Sequence, residues 1–283
     1  MEGSESGIMV PELSASQFNT VYTLLSLAIA SLLFTAIYLL FSRGRIAPRY
    51  RNAVVVSAIV CGIATYHYIR IFDNFGESYP PGDTVGAAHA LSNVGFNEAY
   101  RYVDWFLTVP LLLVETVAVM ALAHSAQKSL LFKLVPASAA MILLGYPGEL
   151  TAEVGPRLLW GTLSTIPFLY ILYVLFVELT KSIDRQPIEV QHTIKMLRLA
   201  LVGLWGIYPI AYLFPLFGGD FFAGADGFVL KQAGYSIADI LAKAAFGLAI
   251  LKVARVKSAL EDPLEYGYGQ ETSVPEQRAK VPA

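Results

Sequence analysis

Long apolar stretches, separated by short clusters of charge, proline and glycine, set the pattern of the chain. A helix needs roughly 20 mostly apolar residues to cross a hydrocarbon core about 30 Å thick. Seven runs approach or exceed that length, near 18–41, 53–75, 98–122, 130–147, 156–180, 194–217 and 230–256. The pattern predicts an all-α membrane protein, a bundle of seven transmembrane helices covering 18–256. It is flanked by an extracellular segment 1–17 and a polar cytoplasmic tail 257–283 whose composition needs no fold. The first run is too long for the core of a signal peptide and follows Glu2, Glu5 and Glu12, so it is expected to remain as the first span. The connection 76–96, with Pro80, Pro81, Gly82 and Gly86, reads as an exposed loop in which a short hairpin has room to form.

Charge adds orientation. Arg43, Arg45, Arg49 and Arg51 crowd the first connection, Lys128 and Lys133 the third, and Lys181, Arg185, Lys195 and Arg198 the fifth; Lys252, Arg255 and Lys257 follow the last run. The other side has Arg70, Arg157 and Lys231 beside Asp73, Glu77, Asp83, Glu153, Asp220 and Asp226. Cations near helix ends stay in the cytoplasm, which predicts the N-terminus outside, the C-terminus inside and a multi-pass protein of the plasma membrane. Only 15% of residues are charged and 55% are hydrophobic, a balance outside the soluble range. With 20 Lys and Arg against 22 Asp and Glu, no basic surface is available for nucleic acid. One cysteine, Cys61, cannot form an internal disulfide, and neither metal-ligand spacing nor a Ser–His–Asp arrangement suggests a metal site or an enzyme.

Against this background the informative residues are the ionisable ones inside the runs, each costing roughly 2.5–3.5 kcal/mol or more at mid-membrane unless paired. The third run reads Arg101-Tyr102-Val103-Asp104-Trp105-Phe106-Leu107-Thr108-Val109-Pro110 and continues to Glu115. On a helix, positions 104, 108 and 115 fall within about 40° of one another over roughly 16 Å of rise, with Arg101 one turn further out. In the seventh run Asp239 and Lys243 lie one turn apart, too deep to reach solvent easily. Either they form a structural ion pair, or the lysine serves as an amine nucleophile able to condense with an aldehyde. His67, within Tyr66-His67-Tyr68, is on its own as compatible with a core histidine as with a functional one. Trp205, Tyr208, Pro209 and Tyr212 share one stripe, either ordinary packing or a flat slot for a conjugated ligand.

Together, Arg101-Tyr102-Val103-Asp104-Trp105 with Thr108-Val109-Pro110, Trp205 with Tyr208-Pro209, and Asp239 with Lys243 resemble the microbial (type 1) rhodopsins. The set Asp104, Thr108 and Glu115 is similar to the proton-pump pattern of proteorhodopsins. Tyr66-His67-Tyr68, Gly145-Tyr146-Pro147-Gly148-Glu149, Trp160-Gly161-Thr162 and Ser164-Thr165-Ile166-Pro167-Phe168 resemble the xanthorhodopsin branch. The resemblance implies that Lys243 carries all-trans retinal as a protonated Schiff base. Asp104 would then be counterion and proton acceptor, Asp239 a second counterion, and Arg101 a screen on their outer side. Glu115 would be the inner proton donor and His67 a hydrogen-bonding partner of Asp104. The pocket would be lined by Trp105, Thr108, Leu112, Met141, Gly145 and Ser164, and by Phe168, Trp205, Tyr208, Pro209 and Tyr212.

The implied function is a light-driven outward proton pump working as a homo-oligomer, pentamer or trimer; the alternative is a sensory photoreceptor signalling through a partner. Gly161 stands where many relatives of this kind carry a bulky Trp. The gap expected there in the lipid-facing wall would admit a carotenoid antenna, as the xanthorhodopsin branch implies. No match to paired outer glutamates used for proton release is evident, which leaves the release route open.

Overall fold

A computed structural model describes residues 11–267 other than 83, 85, 121, 152, 218–220 and 223. The expected features at Glu2, Glu5, Asp83, Asp220 and the tail from 268 onward lie outside the described residues. All seven apolar runs become helices: α1 (Ala15–Ser42), α2 (Pro48–Ser78), α3 (Ala99–Val119), α4 (His124–Glu149) and α5 (Val154–Ile183). Next comes α6 (Ile188–Trp205, resumed after Gly206 as Ile207–Leu213). The last, α7, comprises Ala225–Asp239, a π-helical turn Ile240–Ala245 and Phe246–Glu261. Five of these, α1, α2, α4, α5 and α6, are long and apolar enough to cross a membrane by length and composition alone. The ionisable residues singled out in the sequence concentrate on the other two, α3 and α7. An odd number of spans puts the two ends of the chain on opposite faces, here called the N face and the C face.

At the N face, α1 starts on a reciprocal cap. The Ser14 hydroxyl accepts from the Gln17 amide while the Gln17 side chain accepts from the Ser14 amide. The segment 79–98 is pinned to the helices. Leu13 and His89 exchange backbone hydrogen bonds of 3.0 and 2.7 Å, and the His89 ring stacks on Phe18 with centroids 4.0 Å apart. This single antiparallel bridge replaces the hairpin that seemed open to the loop; among the described residues there is no strand. Gly95 takes a left-handed φ of +68°, which only glycine adopts freely, and its carbonyl accepts from Asn74 and Ser78 of α2. Asn74 also accepts from the Asn97 amide at 2.8 Å, so the entry to α3 is held in place by α2.

At the C face, α7 extends past the expected boundary at 256. Val253, Ala254, Lys257 and Ser258 are buried along one stripe, and the helix continues to Glu261, followed by a short helical turn Pro263–Tyr266. The part of the tail expected to lack a fold therefore begins later than 257. Burial against the first connection is the reason. Ser258 Oγ accepts from the Ala47 amide at 2.9 Å in a buried contact, and Glu261 takes hydrogen bonds from Arg49 and Tyr50. Substituting Ser258→Ala should leave the Ala47 N–H buried and unpaired, costing about 1–3 kcal/mol. The measurement is thermal unfolding of the detergent-solubilised protein; an unchanged melting temperature would contradict the clip.

Candidate functional site

The π-helical turn of α7 carries Lys243, directly after Asp239. Lys243 Nζ lies 2.5 Å from Asp104 Oδ2 and 2.9 Å from Asp239 Oδ1, with all three side chains essentially sealed from solvent. Buried charge is tolerable only when compensated, and here Lys243 and the equally buried Arg101 balance the two aspartates.

The two carboxylates are held very differently. Asp239 accepts from the Tyr68 hydroxyl at 2.8 Å, the Tyr208 hydroxyl at 2.7 Å and the Trp105 indole N–H at 3.3 Å. Asp104 accepts from Lys243 alone, and its Oδ1 is buried with no hydrogen-bond partner. Arg101 does not donate to either carboxylate. Its guanidinium donates to Tyr68 at 3.0 Å and to Gln232 at 2.7 Å, and so reaches Asp239 through the tyrosine. Thr108 donates to the Asp104 carbonyl at 2.8 Å, one turn back along α3, rather than to the carboxylate.

Glu115 is fully buried further toward the C face, where Ser57 of α2 donates to its Oε2 and its Oε1 has no partner. His67 is buried on α2, ten residues beyond Ser57, but the expected hydrogen bond to Asp104 is not formed: His67 Nδ1, like Asp104 Oδ1, has no partner. The ring instead meets Tyr66 edge-on, with centroids 5.2 Å apart.

Beside Lys243 lies a cavity of about 820 Å³, counting its opening. Trp105, Leu112, Met141, Gly145 and Ser164 line it as expected, as do Phe168, Trp205, Tyr208, Pro209 and Tyr212; Thr108 does not. Tyr102, Ile142, Thr165 and Tyr235 also line it without having been expected to. An elongated apolar molecule with an aldehyde at one end fits this donor set, because the walls are mostly apolar and aromatic and one lysine opens onto them. Gly161 also lines the cavity, but the gap expected at this glycine is filled: a Cβ there would come 2.7 Å from Tyr212 Cε1. The glycine lets the Tyr212 ring pack against α5, where its hydroxyl donates to the Arg157 carbonyl at 2.8 Å.

Other residues escaped the sequence reading. Tyr68 and Ser57 are ordinary residues in an apolar run, and their only signal is that 57, 61, 64 and 68 share one face of α2. Arg157 and Lys231, read there as outer-side cations, are buried at 2% and 7% exposure and paired with Glu149. Lys231, Lys243 and Lys257 are all buried, and among the described residues Lys243 is the lysine that lines the cavity.

Residues 19–256 match the family model described as bacteriorhodopsin-like protein. A crystal structure of thermophilic rhodopsin superposes with a TM-score of 0.83 at 43% identity, covering 90% of this chain and 100% of that one. The structure of xanthorhodopsin, described as a light-driven ion pump with dual chromophore, gives 0.81 at 41% identity over 89% of this chain and 99% of its own. Bacteriorhodopsin of Halobacterium salinarum is 31% identical over 231 residues, 81% of each chain. A buried lysine between two aspartates, in a bundle matched along nearly all its length, thus belongs to a multi-pass membrane protein of the bacteriorhodopsin-like family, the microbial rhodopsins.

Proposed function

We propose that this protein is a light-driven pump moving protons from the C face to the N face, with the N face outside the cell. The observation that carries the reading is the unequal treatment of the two aspartates. Three donors from α2, α3 and α6 hold the charge of Asp239 in place, whereas Asp104 has an unpartnered oxygen and touches only the lysine. Asp104 is then the acceptor of a proton from Lys243 Nζ, and Asp239 the fixed counter-charge. Glu115, isolated on the C-face side with Ser57, supplies the proton that restores Nζ. Lys243 would hold retinal, which when bound would supply light absorption and a change of shape. Orientation is supported by the distribution of exposed cations: Arg43, Arg45 and Arg49 are exposed at the C face, while of the N-face cations Arg70 is exposed and Arg157 and Lys231 are buried.

A carotenoid lying along α5 belongs to the same reading. Gly161 is half-buried and lines the cavity, so a polyene on the outer surface of α5 would lie against Tyr212 with no side chain between them. Hydroxylated or keto carotenoids added to the retinal-loaded protein should give vibronic bands that disappear in Gly161→Trp. Absence of those bands in the parent protein would remove the antenna from the proposal.

Two further outcomes test the core of it. Lys243→Ala should remain colourless after retinal addition, since the other buried lysines do not line the cavity; a visible band that survives borohydride in this variant would overturn the assignment. Illuminated cells should acidify the medium, an effect abolished by protonophore and by Asp104→Asn, which should also shift absorption to the red. Glu115→Gln should keep its colour and return the Nζ proton on the order of 10²-fold more slowly in flash photolysis. Identical decay kinetics in the Asp104 and Glu115 variants would refute their separate roles, and persistent colour without acidification would favour a sensor.

A further inference from the structure

A second ionic cluster separates the cavity from the N face. Lys231 of α7 has Nζ 2.8 Å from Glu98 and 2.9 Å from Glu149. Glu98 directly precedes α3 and Glu149 ends α4, and both are buried, at 6% and 1% exposure. Arg157 of α5 approaches the same Glu149 oxygen at 3.4 Å, and the Tyr102 hydroxyl donates to the other oxygen at 3.4 Å. Gln232, next to Lys231, donates to Glu98 at 2.7 Å and accepts from Arg101 at 2.7 Å. A continuous series of hydrogen bonds therefore runs from Asp239 through Tyr68, Arg101, Gln232 and Glu98 to Lys231 and Glu149.

Four cations face four buried carboxylates. Lys243 pairs with Asp104 and Asp239, Lys231 with Glu98 and Glu149, and Arg157 with Glu149, while Arg101, 3.7 Å from Glu98, links the two groups. Without Lys231, three cations would face these four buried carboxylates, and one bound proton would restore the balance. Lys231 stands where Glu98 and Glu149 converge.

We infer that Lys231 is the positioning residue of the proton exit: its ammonium occupies the place a shared, releasable proton would take between Glu98 and Glu149. The pair then has no proton to expel when Asp104 becomes protonated. Release to the N face must wait for the proton on Asp104 itself to depart, after Glu115 has given up its own proton and drawn another from the C face. In a chain without the ammonium, one proton from the medium would bind the pair in the dark. It would leave for the N face when Asp104 fills, and the proton later leaving Asp104 would replace it. The timing half of this inference rests on the pump reading; the proton-free pair does not.

Infrared spectra of the retinal-loaded full chain in the dark test the pair directly. Lys231→Gln should gain the carbonyl band of one protonated carboxyl or the broad absorption of one shared proton. Adding Glu98→Gln to that variant should remove the gain, and Lys231→Arg should match the parent. An unchanged spectrum in Lys231→Gln would overturn the inference. Should that variant fail to fold, Glu98→Gln in the otherwise native chain decides: no protonated-carboxyl band should be lost, and a loss would overturn the inference. With a pH-sensitive dye in unbuffered medium, flashes on the parent should give proton uptake before release, and on Lys231→Gln release before uptake. The same order in both would refute the exit role. Infrared changes as expected, with no light-driven dye signal in the parent, would stand against the pump reading while leaving Lys231 in its place.

Discussion

One ammonium shared by two carboxylates, in a region with almost no solvent, is the constraint around which the bundle is organised. Charge in such a place has to be balanced and hydrogen-bonded, and the groups that do so come from different helices. Asp239 of α7 receives Tyr68 from α2, Trp105 from α3 and Tyr208 from α6, so one side chain fixes the relative positions of four helices. Asp104 takes no part in this lattice beyond Lys243, and the unevenness puts a sparsely held carboxylate beside a firmly held one.

Polarity is distributed unequally about that centre. Toward the N face the side chains are linked by hydrogen bonds and ion pairs through Arg101, Gln232, Glu98 and Lys231. Toward the C face Glu115 pairs with Ser57 near the centre, and the other buried polar groups, among them Ser42, Ser182, Lys257 and Ser258, lie near the helix ends. Charge and hydrogen bonding are thus concentrated on the N-face side of Lys243.

Much of this was legible in the chain because membrane burial makes ionisable residues conspicuous. Asp104, Glu115, Asp239 and Lys243 stood out against leucine and valine; of the aromatic wall, Trp205, Tyr208 and Tyr212 followed from helical spacing, and Trp105 and Phe168 from the resemblance. What was not legible depends on the ends and faces of helices. Lys231 and Arg157 look like solvated cations because the rule that orients a span counts charges near its termini without asking what they face. Ser57 and Tyr68 carry no charge to draw notice. Gly161 suggested a gap, yet whether a missing side chain leaves space depends on the neighbour, and Tyr212 comes from a segment about fifty positions away. The length of α7 was underestimated because Ser258 and Lys257 look polar until Ala47 and Tyr50 supply their surroundings.

The wide turn Ile240–Ala245 has a mechanical consequence. An extra residue in one turn loosens the regular ladder locally and leaves its backbone groups in poorer geometry than those above and below. Lys243 sits on this loosened stretch, while α7 is tethered on one side by Lys231 and Gln232 and on the other by Ser258 and Glu261. The helix is thus a shaft clamped at both ends with a swivel in the middle. Torque applied at the lysine would twist a few residues rather than the whole rod.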